Sequence, residues 1–100
     1  MSNLAEEFER FHRENPRVYE LFKRFTFQLI ERGFKHHSSD AVVHRIRWHT
    51  DVETTTATDS FKIANAHTAF YARLFMADHP QHKGFFRTAV SAADFADLLA

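Results

Sequence analysis

The chain has 100 residues, the size of one domain, and it has no cysteine, which excludes disulfide frameworks, cysteine-based zinc fingers and thiol catalysis. Its 13 basic and 13 acidic residues balance, and no apolar run reaches the length of a membrane span. Twelve phenylalanines must supply much of the core, while only two glycines and two prolines interrupt the chain, which favours long helices. We therefore expect a soluble, cytoplasmic, mainly α protein without membrane contact.

The N-terminal part of the chain predicts two helices. Asn3 followed by Glu6 is a helix start, and Asn15 followed by Pro16 begins a second helix that should stop at Gly33. Apolar residues recur at helical spacing in both segments. They are Leu4, Phe8 and Phe11 in the first helix and Val18, Phe22, Phe25 and Leu29 in the second.

Further helices are predicted from Ser38 or Ser39 to near Trp48, from about Asn65 to Asp78, and after the capping box that begins at Ser91. Residues 50–60 are rich in threonine and acid, and a short hairpin with residues 61–63 is conceivable. Residues 84–90 form either a short strand or an aromatic plug on the core. The expected fold is a single helical domain over residues 1–100, with four to five helices and at most a short β-hairpin.

The third and fourth predicted helices, with the connection between them, are typical of a helix-turn-helix or winged-helix nucleic-acid reader. A recognition helix needs polar or basic side chains near its N-terminus, and basic residues elsewhere to hold phosphates. The predicted groove contacts are Lys62, Asn65, His67 and Thr68, and the predicted phosphate contacts are Arg45, Arg47 and Arg73. We expect a small DNA-binding, regulatory protein of this type.

The charges are unevenly distributed, which bears on that expectation. Residues 15–50 carry seven basic and three acidic residues, and residues 60–87 carry four basic residues and one acidic residue. Residues 51–59 carry three acidic residues and no basic one. The basic segments form a phosphate-binding face if they converge, and ordinary solvated charge if they do not.

Protein binding is the alternative function. A small, neutral, aromatic-rich protein of phage type could inhibit a host protein, and the acidic segment from Asp51 to Asp59 could dock on a basic partner. A homodimer through an exposed phenylalanine face is a further expectation, because readers of palindromic sites usually dimerise.

Metal binding and catalysis are not predicted, and no cofactor is expected. The eight histidines invite a zinc hypothesis, but Pro80 separates His79 from His82, and His44 and His49 are a poor fit to one helical face. The chain has no glycine-rich phosphate loop, nucleophile elbow or HExxH motif, so we do not expect an enzyme.

The aromatic residues offer two interpretations. Trp48, Phe61, Tyr71, Phe85 and Phe86 could stack on single-stranded bases. Helical core spacing favours packing for Tyr71 and its neighbours, whereas the sequence leaves open whether Trp48 is buried or exposed.

An ordered series of motifs resembles a family of short proteins scattered through bacterial and phage genomes, mostly without assigned function. The motifs are Phe8-x-x-Phe11-His12-x-x-Asn15-Pro16-x-Val18-Tyr19, Ile46-Arg47-Trp48, Phe61-Lys62-Ile63-x-Asn65, Tyr71-Ala72-Arg73-Leu74-Phe75 and Gly84-Phe85-Phe86. The resemblance implies a small helical domain of helix-turn-helix or winged-helix character, and it supplies no catalytic residue. Relatives often carry paired asparagines where this chain has Ala64-Asn65, which weakens a base-reading role for position 64.

Overall fold

Four α-helices make up most of the described chain, which covers residues 3–53 and 63–87 of a computed structural model. They are α1 (Leu4–Glu14), α2 (Pro16–Glu31), α3 (Ser39–Trp48) and α4 (Asn65–Asp78). A π-helical turn (His49–Glu53) continues α3, and a 3-10 turn (Pro80–His82) follows α4. The mainly α prediction is confirmed for the described residues, which contain no strand. The conceivable hairpin and the helix predicted after Ser91 lie outside them.

Side-chain caps begin α1 and α3 where the sequence predicts them. The Asn3 side chain accepts a hydrogen bond from the Glu6 amide at 2.8 Å, and the Ser38 hydroxyl accepts one from the Ala41 amide at 3.4 Å. These bonds satisfy amides that have no partner inside the helix. Asn15 precedes α2 but does not cap it.

The C-terminal ends of α1 and α2 are closed in different ways. The Asn15 side chain donates to the Phe11 carbonyl at 3.0 Å and so closes α1. After α2, Gly33 adopts a φ of +96°, and the Phe34 amide donates to the Leu29 carbonyl at 3.2 Å. This Schellman-type stop requires a left-handed residue, for which glycine is suited.

The core lies between α2, α3 and α4 and is largely aromatic. Phe22 of α2 and Tyr71 and Phe75 of α4 are fully buried, and their rings are in contact. α1 closes one side of the core with Phe8. The remaining buried apolar side chains of the helices are Val18, Tyr19, Leu21, Phe25, Val42, Val43, Ile46 and Ala72.

The segment after the 3-10 turn closes the other side of the core. Phe85 and Phe86 are buried, and the Phe86 ring centroid lies 5.4 Å from that of Phe22. Phe86 also forms an isolated parallel bridge with His37, and the His37 amide donates to the Phe85 carbonyl at 3.2 Å. Over residues 84–87 the segment is therefore the predicted aromatic plug, held by a single bridge to the α2–α3 connection.

Candidate nucleic-acid interface

The two arginines predicted on α3 make contacts within the protein. Arg45 forms an ion pair with Glu53 at 2.7 Å, and its guanidinium lies 4.4 Å from the Phe25 ring centroid. Hydrogen bonding from Arg45, and then from His49, holds the pKa of the Glu53 carboxyl below its usual value. Arg47 donates to the Ile63 carbonyl at 2.6 Å. Both cations are thus partly engaged before any ligand arrives.

The residues predicted on and near α4 are placed in different environments. His67 and Thr68 are buried, with exposed fractions of 7% and 4%. Asn65 is exposed, and Arg73 is partly buried. Lys62 lies outside the described residues. Only Asn65 of the described groove contacts is therefore on an open surface.

Three of the seven predicted residues meet in one place. Arg47, Asn65 and Thr68 line a cleft of about 430 Å³ between α3 and α4, which we call the α3–α4 cleft. Its other lining residues are Asp40, Val43 and His44. Arg45 and Arg73 are not among its lining residues, so the cleft holds only part of the predicted set.

A second cluster of basic residues lies where the α2–α3 connection meets the plug segment. Lys35, His82 and Lys83 line a cleft of about 230 Å³, together with Phe34 and Phe85. We call this surface the basic end. It consists of Lys35, His36, His82 and Lys83.

One side-chain contact joins the two segments of the basic end. The imidazole Nδ1 of His36 lies 3.2 Å from the Gly84 carbonyl oxygen, and Gly84 turns the chain with a φ of +89°. Because Phe85 and Phe86 then enter the core, the position of Lys83 is set by buried neighbours.

The charge of the basic end is uncompensated within the described chain. Among the described residues, no carboxylate lies within ion-pair distance of the Lys35 or Lys83 ammonium, and both side chains are exposed. Residues 31–38 and 79–87 contain four lysines or arginines and a single acid, Glu31. An exposed aromatic ring, Phe34 at 49%, stands beside these cations.

The sequence does not predict the basic end. Its two halves are 48 residues apart in the chain, as the His36–Gly84 contact shows. The available signal was the short runs Lys35-His36-His37 and His82-Lys83, each next to a glycine turn.

The histidines do not assemble into a metal site in the described part of the chain. No group of three or more potential metal ligands occurs there. The Nδ1 atom of His79 lies 2.9 Å from the Phe75 carbonyl oxygen, and the His82 ring packs against Phe27 and Phe75. These two histidines are accounted for by local packing.

Trp48, left open by the sequence, is 59% exposed. Val52, four residues later in the π-helical turn, is equally exposed.

None of the described helices is long and apolar enough to cross a bilayer.

Comparison with family models, with curated proteins and with solved structures gives no match for this chain. The resemblance to short bacterial and phage proteins stays a prediction.

Proposed function

We propose that the protein binds nucleic acid and that the basic end contacts its phosphate groups. The observation that carries the proposal is the shared cleft of Lys35, His82 and Lys83, beside an exposed phenylalanine and with no carboxylate partner for either lysine among the described residues. Ammonium groups free of internal ion pairs can displace the counterions of a phosphate backbone. The Phe34 ring offers a surface on which an unpaired base could stack.

Sequence-specific recognition of a DNA groove by α4 would be a narrower form of nucleic-acid binding. The structure supports it less well than it supports phosphate binding at the basic end. A typical helix-turn-helix joins its two helices by three or four residues, whereas residues 49–64 separate α3 from α4. His67 and Thr68 are buried, so they do not present their side chains to base edges. Asn65 is exposed and could reach a base edge, but Lys62, the other predicted groove contact, lies outside the described residues.

The decisive experiment measures binding of labelled duplex and single-stranded oligonucleotides by fluorescence anisotropy at several salt concentrations. The test variant is Lys35→Ala/Lys83→Ala. The control is Arg13→Ala/Arg17→Ala, which removes the same charge from exposed positions on either side of the α1–α2 junction, at the far end of α2. The 16 residues of α2 separate the two ends by about 24 Å.

We expect the basic-end variant to weaken binding and to reduce the slope of log K against log salt by about two, since two phosphate contacts are lost. The arginine control should bind like the wild type. Equal weakening by both variants would mean that only net charge matters, and absence of binding at low salt would exclude the function. Weakening by Lys62→Ala and Arg73→Ala, but not by the lysine pair, would instead favour reading by α4.

A protein partner is the second candidate, and the exposed Trp48–Val52 pair favours it. An exposed tryptophan beside an aliphatic side chain is typical of a binding hot spot. Trp48 is the single tryptophan, so its fluorescence reports directly on this surface. Trp48→Ala should abolish partner binding or self-association, measured by light scattering, while the lysine variant should leave both unchanged.

A further inference from the structure

A cleft between α2 and α3 shares no lining residue with the α3–α4 cleft or with the cleft of the basic end. We call it the α2–α3 cleft. Its volume is about 310 Å³, and its walls are mostly apolar, whereas those of the α3–α4 cleft are mostly polar. Small-molecule sites in proteins are typically apolar clefts of roughly 300–1,000 Å³ with a few polar groups. The α2–α3 cleft therefore has the size and character of a site for a small ligand.

The apolar wall of the cleft belongs to the core, so it is formed without a ligand. Phe25 and Val42 line the cleft and are buried, and Leu29 packs against the same core. Ala41 completes this wall with a small, partly exposed side chain. Because core packing holds these side chains, a ligand that lies on them loses little free energy in ordering them.

Arg32 supplies an unpaired positive charge at the cleft. It is the C-cap residue of α2 and is exposed, and no described carboxylate lies within ion-pair distance of its guanidinium. Gln28, one turn earlier, adds an amide that can donate a hydrogen bond. The described lining residues include no acid. The α2 side of the cleft is therefore suited to a negatively charged oxygen.

Arg45 lines the α3 side of the cleft and is partly engaged. Its Nη1 atom forms the ion pair with Glu53, and the Phe25 ring packs against its guanidinium. A guanidinium has five N–H donors, so some remain for a ligand, although Glu53 offsets its charge. The cleft thus offers one unpaired positive charge beside an apolar wall, which is complementary to a ligand with a single negative charge and an apolar body.

A carboxylate fits this arrangement better than a phosphate group. The planar fork of an arginine matches a carboxylate with two parallel hydrogen bonds. A phosphate dianion would bring a second negative charge near Glu53 and the apolar wall, where a charge without a partner costs free energy.

We propose that the α2–α3 cleft binds a small apolar carboxylate, such as a medium-chain fatty acid or an arylalkanoic acid. The carboxylate pairs with Arg32, and the apolar part of the ligand lies on Phe25, Leu29 and Val42. This site does not depend on nucleic-acid binding at the basic end.

The test is a titration of the full-length chain followed by amide NMR shifts. Sodium 3-phenylpropionate and sodium octanoate, the latter below its micelle-forming range, are the two probes. 3-Phenylpropionamide keeps the shape without the charge, and sodium acetate keeps the charge without the apolar body. Saturable shifts of the Gln28, Arg32 and Ala41 amides are expected with at least one probe, and binding of only one would identify the preferred apolar part. The amide and acetate should bind at least threefold more weakly than phenylpropionate.

Arg32→Gln tests the charged contact. It should weaken binding of the carboxylate probe about threefold to tenfold and leave binding of the amide unchanged. Arg17→Gln is the matched control, since it removes the same charge from an exposed position on α2, 15 residues and about 22 Å away along the helix. Its affinity should equal that of the wild type.

Ala41→Leu tests the apolar wall, because the larger side chain fills the cleft while leucine remains a good helix former. It should abolish the saturable shifts. Ala66→Leu, at an exposed position of α4 that does not line the cleft, should bind like the wild type. Circular dichroism spectra like that of the wild type show that both variants are folded.

Three kinds of result would overturn the proposal. The first is equal affinity for phenylpropionate and its amide, shifts no larger than those with acetate, or wild-type affinity in Arg32→Gln or Ala41→Leu. The second is saturable shifts confined to the Lys35 and Lys83 amides, which would remain consistent with the proposed function of the basic end. The third is a shift of the cleft amides when the protein is diluted without ligand, because a second copy of the chain would then occupy the cleft.

Discussion

Two tyrosines in the same aromatic cluster should respond in opposite ways to the same substitution. The rings of Tyr19 and Tyr71 lie 6.3 Å apart. The Tyr19 hydroxyl donates to Asp78 Oδ2 at 2.6 Å, whereas the Tyr71 hydroxyl is buried without a hydrogen-bond partner in the described chain. Replacement by phenylalanine removes one oxygen in each case and leaves the ring in place.

The expected magnitudes follow from these environments. A buried hydroxyl without a partner costs about 1–3 kcal/mol, so Tyr71→Phe should raise the free energy of unfolding by about 1–2 kcal/mol. Tyr19→Phe loses a charge-assisted bond, but water can solvate the exposed Asp78 carboxylate, so a loss of about 1–2 kcal/mol is expected. For a domain of this size, each kcal/mol changes Tm by about 4–8 °C.

Urea unfolding followed by circular dichroism measures both effects, with thermal melts as a second readout. Burial raises the pKa of both phenols, and Asp78 raises that of Tyr19 further, so both hydroxyls stay neutral at pH 7. The m-value should remain that of the wild type, because neither substitution should alter the amount of surface exposed on unfolding. A Tyr71→Phe variant no more stable than the wild type, or loss of stability in both variants, would refute the reasoning.

Two further predictions concern pH and backbone conformation. Burial against Phe8 and Phe11 lowers the pKa of His67, and the negative charge of Glu7 opposes this shift only in part. The folded state therefore favours the neutral imidazole ring. The free energy of unfolding should decline as the pH falls below about 6.5, because the unfolded chain then binds a proton that the folded chain does not. His67→Phe should flatten that decline in urea unfolding from pH 7.5 to about 5, and an unchanged slope would contradict the assignment. Gly84→Ala forces a φ of +89° on a residue with a Cβ and should lower the free energy of unfolding by about 1 kcal/mol, whereas Gln81→Ala, on the same exposed segment, should be neutral. Equal melting temperatures for these two variants would show that the turn tolerates a side chain.

Helix positions could be predicted from the sequence because their signals are local. Asn65 to Asp78 was predicted as a helix and is the observed α4, and Gly33 ends α2 as expected. Caps, turn residues and apolar spacing act over a few residues, so they can be recognised without knowing what packs against them. Asn15 is the exception, because its side chain can close α1 or cap α2 and the sequence does not decide between them.

The exposure of α4 could not be predicted in the same way. The sequence interpretation assumed one apolar stripe and an open polar face carrying His67 and Thr68. In the structure, α4 contacts α1, α2 and α3, so it is covered on more than one face and buries both residues. Which faces of a helix are covered depends on the arrangement of its neighbours, and the spacing of its own residues does not contain that information.

The basic end could not be predicted either, because it is assembled by contacts between segments that are distant in the sequence. No local signal links His36 to Gly84, because the contact exists only once Phe85 and Phe86 enter the core. Residues chosen for apolar packing therefore determine where the neighbouring Lys83 charge is held. Since ordering of flexible side chains and loops costs free energy on binding, a surface fixed by the core retains more of its electrostatic attraction as affinity. The plug segment is thus both the closure of the core and the support of the proposed phosphate contacts.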